Sequence, residues 1–231
     1  MNAPSYTRHR FPAPIIGHAI WLYHRFSLSF REVEDLLAER GITVSYESIR
    51  SWCRKFGTVY ARGLRKREDR LGDTWHLDEL FVTIRGERYY LWRAVDQDGD
   101  TIDILLQNRR DRQAAKRFFR KLLKAQGSGP NRLVTDKLRS YRAAHRELIP
   151  TIPHATGQYE NNRVEVSHQP TRQRERQMRR FKSVGQAQRF LSIHAAVQNL
   201  FRVGRHLLRS CHHRLLRDRA FECWQQVTSA R

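Results

Sequence analysis

One run that is apolar on both faces restricts the fold of this chain more than any other feature. Residues 74–84 read TWHLDELFVTI, with apolar side chains at both odd and even positions. Alternate side chains of a strand point to opposite sides of a sheet, so such a strand must be covered on both faces. Asp78 lies in its middle, where an ionised carboxylate is costly unless a metal ion or an arginine compensates it. The run predicts a central strand with a cation beside Asp78.

The residues after this run predict an antiparallel meander. Residues 85–87 supply a turn, and residues 89–95 and 101–107 have the composition of strands. The acidic segment between those two strands, DQDGD at 96–100, is similar to a calcium loop, but it lacks the Asp-x-Asp-x-Asp-Gly order of an EF-hand. We interpret it as a hairpin turn.

A second notable carboxylate follows a short strand. The apolar stripe of residues 112–125 predicts a helix that covers the sheet, and the sequence GSGP at 127–130 ends it. Residues 132–135 then predict a strand with Asp136 directly after it. Ligands and catalytic groups collect at that edge of open α/β sheets, so Asp136 is a second candidate site residue.

A third candidate acid, Glu165, lies in the segment NNRVEVSHQPTR at 161–172, which predicts a helix kinked or divided at Pro170. Glu165, His168 and Arg172 share a face at helical spacing. The carboxylate could therefore hold a metal ion while Arg172 binds a nearby phosphate. For any one of these acids, a solvated or salt-bridged side chain is the alternative. The combination of a strand acid, a strand-end acid and a helix acid favours a metal site.

The N-terminal residues predict three short helices within residues 13–56. Ser29 and Glu32 form a capping box at the start of the second helix. The third helix has an apolar side, and its outward side carries charged residues that include Arg50 and Arg54. This layout is typical of a helix-turn-helix that offers its third helix to the major groove of DNA. The alternative is a plain three-helix bundle with a solvated basic face.

The charge of the chain indicates a polyanionic partner. Its 231 residues include 44 Lys and Arg against 23 Asp and Glu, which gives a formal charge of +21. Each phosphate that a basic residue neutralises releases counterions, so this charge suits nucleic acid. A ribosomal-type or membrane-surface basic protein would be equally charged. The 39% hydrophobic residues, with aromatic residues in periodic segments, instead favour the packed core of an enzyme.

The cysteines and the apolar segments indicate a cytoplasmic protein with no membrane partner. The three cysteines form no C-x-x-C pair, so we interpret them as reduced thiols. The apolar stretch 15–23 is too short for a membrane span. A zinc site at His206, Cys211, His212 and His213 is not favoured, because adjacent histidines of a helix point in different directions.

Three strings together resemble a known family. WHLDE around Asp78, VTDKLRSY around Asp136 and NNRVEVSHQPTRQRERQMRRFKS around Glu165 are similar to the DDE transposases of bacterial insertion sequences. The resemblance is to the branch called the insertion sequence six family, and it extends to the N-terminal string LYHRFSLSFREVEDLLAERGITVSYESIRSW. Arg172 corresponds to the family's basic residue seven positions after the glutamate.

This resemblance implies an α/β fold, a ribonuclease-H-like mixed sheet flanked by helices, with Asp78, Asp136 and Glu165 as metal-binding catalytic triad. The metal it implies is Mg²⁺, with Mn²⁺ as a substitute. Hard cations of this kind take oxygen ligands, which accounts for carboxylates in place of Cys or His. The second and third acids are closer in sequence than in many relatives of the wider class, so Glu160 and Glu175 remain rival third acids.

The implied activity is binding of terminal inverted repeats, cleavage that frees 3′-hydroxyl ends, and their transfer to target DNA with cointegrates as the usual outcome. A ribonuclease-H-like nuclease that cuts without joining and a non-catalytic DNA-binding regulator are the rivals. Tyrosine recombination is not expected, because no Tyr follows Tyr159. Double-stranded DNA is the expected partner of a homo-oligomer that is at least a dimer in the synaptic complex, in a bacterial cytoplasm near the nucleoid.

The expected domains are a helix-turn-helix domain at 1–60, a basic linker at 61–72, a catalytic core at 73–190 and a C-terminal helical extension at 191–231. Residues of the third helix, and residues around the second and third acids, are the candidate contacts to DNA. They are Arg50, Arg54, Lys55, Lys137, Arg139, Arg163, His168, Arg172, Arg174 and Lys182.

Overall fold

Contacts within the chain divide it into two compact units. We call Met1–Glu68 with Ser192–Arg231 the helical unit, and Asp69–Leu191 the sheet unit. The computed structural model describes residues 4–67, 72–157, 160–202 and 208–229. Within these ranges, the side chains are described except at 162–167.

Helices make up the described part of the helical unit, and the three predicted N-terminal helices are among them. The capping box of the second is confirmed: Ser29 Oγ accepts from the Glu32 N–H at 3.2 Å, and the Ser29 N–H donates to Glu32 Oε2 at 2.6 Å. Gly41 follows this helix with a φ of 73°, a conformation that glycine adopts without strain. The whole helices are α1 (Ala13–Arg25), α2 (Phe30–Ala38), α3 (Tyr46–Arg65) and α8 (Ser210–Thr228).

Helix α3 is longer than the sequence analysis predicted. It continues to Arg65, so residues 61–65 of the expected linker are helical. The reason is that Tyr60, Ala61 and Leu64 extend the buried stripe of the helix. Basic residues alone therefore do not indicate a linker here, because they occupy the exposed positions between buried ones.

The sheet unit contains the predicted mixed sheet flanked by helices. Its five strands among the described residues have the order β3-β2-β1-β4-β5. Strand β1 pairs antiparallel with β2 and parallel with β4, β2 pairs antiparallel with β3, and β5 pairs parallel with β4. The strands are β1 (Thr74–Ile84), β2 (Glu87–Val95), β3 (Thr101–Gln107), β4 (Arg132–Thr135) and β5 (His154–Ala155).

One apolar core of the sheet unit involves the helices α4 (Arg112–Gln126) and α5 (Arg139–Leu148). Trp92 of β2 lies with Phe118 and Tyr141 of these helices, and all three are fully or almost fully buried. Burying a side chain such as Phe118 stabilises the fold by about 1.5–3 kcal/mol. This core fixes α5, which begins three residues after Asp136, against the sheet.

Helix α6 (Asn162–Gln177) contacts β1 and β2 and continues through Pro170, so the predicted division of this helix is wrong. Among its described side chains, those of 168–177, the buried ones are polar and lie at a spacing of three: His168, Thr171 and Arg174. Thr171 Oγ1 accepts a hydrogen bond from Arg93 Nη1 of β2 at 3.0 Å. A proline can remain in a helix when neighbouring contacts hold the helix in place, and here the sheet provides them. Helix α7 (Val184–Phe201) follows.

The acidic segment 96–100 is a hairpin turn, as predicted. Asp96 Oδ1 accepts hydrogen bonds from the N–H groups of Asp98 and Asp100, at 3.0 and 2.8 Å. Gly99 has a φ of 83°, which the turn requires. The carboxylate of Asp96 therefore organises its own turn.

No helix of the described ranges has the length and apolarity needed to cross a membrane.

His154 in β5 gives the fold a pH dependence that can be measured. The centres of the His154 and His145 rings are 4.7 Å apart, and Nε2 of His154 lies 2.8 Å from Thr135 Oγ1 at the end of β4. Burial, with nearby His145 and Arg142, lowers the pKa of His154 to about 4. The unfolded chain then binds this proton near the ordinary pKa of about 6.5, so the free energy of unfolding should fall as pH falls between these values.

Urea unfolding followed by circular dichroism at several pH values between about 7 and 4.5 measures this slope. His154→Gln should flatten it, whereas His212→Gln, which replaces an exposed histidine of the helical unit, should not. A wild-type slope in His154→Gln would contradict the assignment.

Candidate active site

The sheet topology brings the two predicted strand acids together. Strands β1 and β4 run parallel, and Leu77 of β1 pairs with Thr135 at the end of β4. Asp78 and Asp136 directly follow this pair, so the two acids lie side by side at the point where β4 ends. Carboxylate oxygens of Asp78, Asp136 and Glu79 lie within 4.8 Å of one another.

Asp78 is fixed by groups from two neighbouring elements. Its Oδ2 accepts a hydrogen bond from Nε2 of His168 in α6 at 3.0 Å, and it pairs across the sheet with Arg93 of β2. Asn161, directly before α6, donates from Nδ2 to the Leu77 carbonyl at 3.0 Å. The start of α6 is thus attached to β1 beside Asp78, whose side chain keeps 18% of its surface exposed.

Asp136 is held by backbone and remains the more accessible acid. Its Oδ1 accepts the Leu138 N–H at 2.9 Å, just before α5 begins. Its Oδ2 lies 3.6 Å from Nη2 of Arg110, and 35% of its side chain is exposed. One oxygen of Asp136 is therefore fixed by the backbone, and the other faces the guanidinium of Arg110.

Glu79 is a member of this cluster that the sequence analysis missed. It follows Asp78 in β1, its side chain is only 3% exposed, and it ion-pairs with Arg110. The hydroxyl of buried Tyr141 donates to Glu79 Oε2 at 2.8 Å. One signal was available: a carboxylate within a buried strand is as costly at position 79 as at position 78.

Burial and neighbouring carboxylates make Glu79 and Asp136 harder to ionise. Burial raises the pKa of Glu79 to about 7, with Asp136 and Asp78 adding to the rise and Tyr141 and Arg110 opposing it. Burial also raises the pKa of Asp136, Asp78 adds to it, and the Leu138 N–H and Arg110 lower it. Close carboxylates shift in this direction when no metal compensates them.

The donor set fits a hard divalent cation. All three groups offer carboxylate oxygens, which Mg²⁺ and similar ions take as ligands, and their separation allows shared coordination. A bound cation would also relieve the repulsion that raises the pKa of Asp136. Asp78 and Asp136 could therefore hold such an ion, and Glu79 lies close enough to be considered with them.

The candidate third acids differ in their placement. Glu165 belongs to α6, but its side chain lies outside the described residues. Glu160 ion-pairs with Arg132 at 2.6 Å, and half-buried Glu175 belongs to no acidic cluster among the described side chains. Neither rival is grouped with Asp78 and Asp136.

Two predicted DNA contacts are buried. Arg174 is 2% exposed, donates to Gln177 Oε1 at 3.1 Å and lies over the Phe190 ring, so it packs the sheet unit and cannot face a phosphate in this conformation. His168 faces Asp78. The side chain of Arg163 lies outside the described residues. The exposed members of the predicted set are Arg50, Arg54, Lys55, Lys137, Arg139, Arg172 and Lys182.

Arg172 lies beside an exposed aromatic ring. Its guanidinium is 5.5 Å from the centre of the Phe81 ring, and that of Arg88 is 5.0 Å from the same ring. Phe81 is 51% exposed, which is unusual for a phenylalanine in a central strand. The guanidinium groups of Arg88 and Arg172 therefore lie together at the ring of Phe81, which follows Asp78 by three residues in β1.

The described residues give no support to a zinc site near the C-terminus. His206 lies outside the described ranges, and Cys211, His212 and His213 form no metal-holding group among the described side chains. Only the acidic cluster of β1 and Asp136 meets that geometry within the described part of the chain.

A similar solved structure is the HTLV-2 integrase catalytic core domain in complex with magnesium. Its TM-score is 0.43 at 13% sequence identity, and the match covers 62% of this chain and 94% of that chain.

Sequence comparisons identify the family. Residues 72–204, more than half of the chain, match a family model described as a DDE domain. The transposase for the insertion sequence-like element IS431mec of Staphylococcus aureus is 29% identical over 210 residues, covering 88% of this chain and 92% of the relative. The transposase for IS257 in transposon Tn4003 of the same species is 28% identical with the same coverage. The chain therefore belongs to the DDE transposases of bacterial insertion sequences and resembles their insertion sequence six branch.

Proposed function

We propose that this transposase binds the terminal inverted repeats of its insertion sequence, cleaves to free 3′-hydroxyl ends and joins those ends to target DNA, with cointegrates as the product. The observation that carries the proposal is the meeting of Asp78 and Asp136 at one edge of the sheet, with oxygens spaced to share a cation. The core is proposed to be of the ribonuclease-H-like type.

Mg²⁺, with Mn²⁺ as a substitute, is the proposed cofactor, held by Asp78, Asp136 and Glu165. When bound, such ions activate a water or a 3′-hydroxyl and neutralise the charge that develops on the phosphate and the leaving oxygen. Glu165 precedes His168 by three residues in α6, and residues three apart share a helix face. Since His168 contacts Asp78, that spacing supports Glu165 as the third acid.

The chain's own residues position the reacting groups. The hydrogen bond from His168 leaves Oδ1 of Asp78 for a ligand, and the Leu138 N–H fixes Oδ1 of Asp136 while its Oδ2 lies 3.6 Å from Arg110. Preorganised ligands of this kind avoid reorganisation during the reaction. Exposed Lys137, Arg139, Arg172 and Lys182 of the sheet unit are proposed to bind the DNA backbone.

Helices α2 and α3 are proposed to form the helix-turn-helix that reads the repeats. A short connection follows Gly41, and α3 exposes Arg50, Arg54 and Lys55 on the side opposite its buried Trp52 and Phe56. The proposed assembly is a homo-oligomer, at least a dimer in the synaptic complex, that acts on double-stranded DNA near the bacterial nucleoid. Its proposed parts remain 1–60, 73–190 and 191–231, and the predicted linker is shortened by the helical residues 61–65.

The first prediction concerns the triad. The assay is strand transfer with a pre-cut element end and Mg²⁺. Loss of a residue that only contacts a metal ligand typically reduces activity roughly 10- to 100-fold. Asp78→Asn, Asp136→Asn and Glu165→Gln each remove a ligand itself, so each should lose more activity than that. Glu160→Gln and Glu175→Gln are matched controls and should retain joining.

Full joining by Glu165→Gln would remove it from the triad. Cutting of an uncut end without joining of a pre-cut one would identify a nuclease, and normal function of Asp78→Asn would indicate a non-catalytic regulator.

The second prediction concerns metal binding without catalysis. Saturating Mn²⁺ should raise the melting temperature of the wild type, because an ion at about 100 times its Kd stabilises the folded state by about 2.7 kcal/mol. Asp78→Asn and Asp136→Asn should abolish this increase, since each removes a charged ligand, whereas Glu160→Gln should preserve it. An undiminished increase in Asp136→Asn would contradict the proposed site.

The third prediction concerns recognition of the repeats. The double variant Arg50→Ala with Arg54→Ala should weaken binding to a terminal-repeat duplex by about tenfold or more, because each arginine contact to a base or phosphate contributes about 1–3 kcal/mol. The matched control, Arg217→Ala with Arg219→Ala, removes the same charge from exposed positions of α8. Equal losses in both variants, measured by fluorescence anisotropy, would indicate charge without a recognition helix.

A further inference from the structure

Arg110 occupies a distinctive position beside the acidic cluster. It lies between β3 and α4, and its Nη2 ion-pairs with Oε1 of Glu79 while lying 3.6 Å from Oδ2 of Asp136. It is thus an arginine in contact with two members of the cluster. Neither the family resemblance nor the charge pattern drew attention to it.

Glu79 is built as an anchor for this arginine. Both of its oxygens are engaged: Oε2 accepts from Tyr141 at 2.8 Å, and Oε1 faces Arg110. Tyr141 is fully buried in the core beside α4 and α5, so it cannot move away without disrupting that core. A carboxylate that is 3% exposed and holds two donors is positioned to fix a cation.

The local backbone also fixes Arg110. The next residue, Asp111, caps α4 by accepting the Ala114 N–H at 2.8 Å. Arg109, on the other side, is 74% exposed and ion-pairs with Asp111 at 3.9 Å; among the described side chains it has no ion pair with the acidic cluster. Neighbouring arginines of one short connection therefore differ: Arg110 is directed at the cluster, and Arg109 is not.

The guanidinium retains capacity for a ligand. It has five N–H donors, its described ion pairs are made by Nη2, and 43% of its side chain is exposed. A planar guanidinium held on one side by a carboxylate is suited to bind a phosphate with its remaining donors. Since Asp136 is a neighbour, a DNA phosphate brought to the acids would come within reach of Arg110.

We propose that Arg110, held by Glu79 and Tyr141, is a binding site for the scissile phosphate of the DNA strand that the acids act on. This inference rests on the proposed function. It assigns Glu79 to positioning, although its oxygens are close enough to those of Asp78 and Asp136 for it to be a metal ligand.

The test is a double-mutant cycle between the arginine and the phosphate charge. Binding of a terminal-repeat duplex is measured in Ca²⁺, which takes oxygen ligands as Mg²⁺ does, with a normal or a neutral methylphosphonate group at the scissile position. The wild type should bind the methylphosphonate duplex roughly tenfold more weakly, because a charge-assisted contact is lost. Arg110→Ala should bind the normal duplex about tenfold more weakly and show little further loss with methylphosphonate.

Matched variants keep the result interpretable. Arg109→Ala, which removes the same charge one residue away, should keep the full wild-type discrimination. Arg110→Lys keeps a cation beside buried Glu79 and should therefore stay folded, but one ammonium cannot replace the fork between carboxylate and phosphate, so it should lose discrimination as Arg110→Ala does.

Glu79→Gln separates the two roles of that carboxylate. It should reduce discrimination while leaving the Mn²⁺-dependent rise in melting temperature near that of the wild type. Loss of that rise, as in Asp78→Asn, would make Glu79 a metal ligand and overturn its positioning role. Full discrimination in both Arg110 variants would overturn the phosphate site alone. A wild type that does not discriminate would overturn this inference, whereas loss of the proposed function would show as absence of strand transfer by the wild type.

Discussion

The parallel pairing of β1 with β4 determines where the acidic groups of this transposase lie. Strand β4 ends at Thr135 whereas β1 continues, so Asp136 leaves the sheet directly beside Asp78. The same pairing places Glu79 close to both. Burial disfavours ionisation of Glu79 and Asp136, and the neighbouring carboxylates add to this effect. The polar contacts of the sheet unit are arranged around that electrostatic cost.

The two faces of the sheet compensate the acids in different ways. On the face of α6, His168 donates to Asp78, and Arg93 joins β2 to Thr171. Toward α4 and α5, Tyr141 donates to Glu79, whose ion pair with Arg110 is 43% exposed on the arginine side. On the α6 face, a hydrogen bond from His168 therefore orients Asp78. On the other face, the positive charge beside Glu79 remains open to solvent.

The sequence predicts the strands closely because their signals are local. The apolar run of β1, the turn at Asp96 and the Ser29 capping box each depend on residues a few positions apart. The cost of a buried carboxylate marks Glu79 in the sequence, but its partner Tyr141 is 62 residues away and has no local signal. The exposure predicted for Arg174 is wrong for a related reason: its charge predicts an exposed side chain, but the guanidinium lies over the Phe190 ring of another helix. Patterns identify elements, and contacts between elements decide what a charged residue does.

Helix α6 is attached to the sheet through polar side chains. His168, Thr171 and Arg174 occupy the buried positions that apolar residues fill in most surface helices. Apolar contacts tolerate small rotations of a helix about its axis, whereas hydrogen bonds weaken steeply with angle. The rotation of α6 about its own axis is consequently fixed by the directions of these polar contacts as well as by the packing of its side chains. An exposed residue next to these buried positions, such as Arg172, is then presented at a constant angle to whatever approaches this part of the sheet.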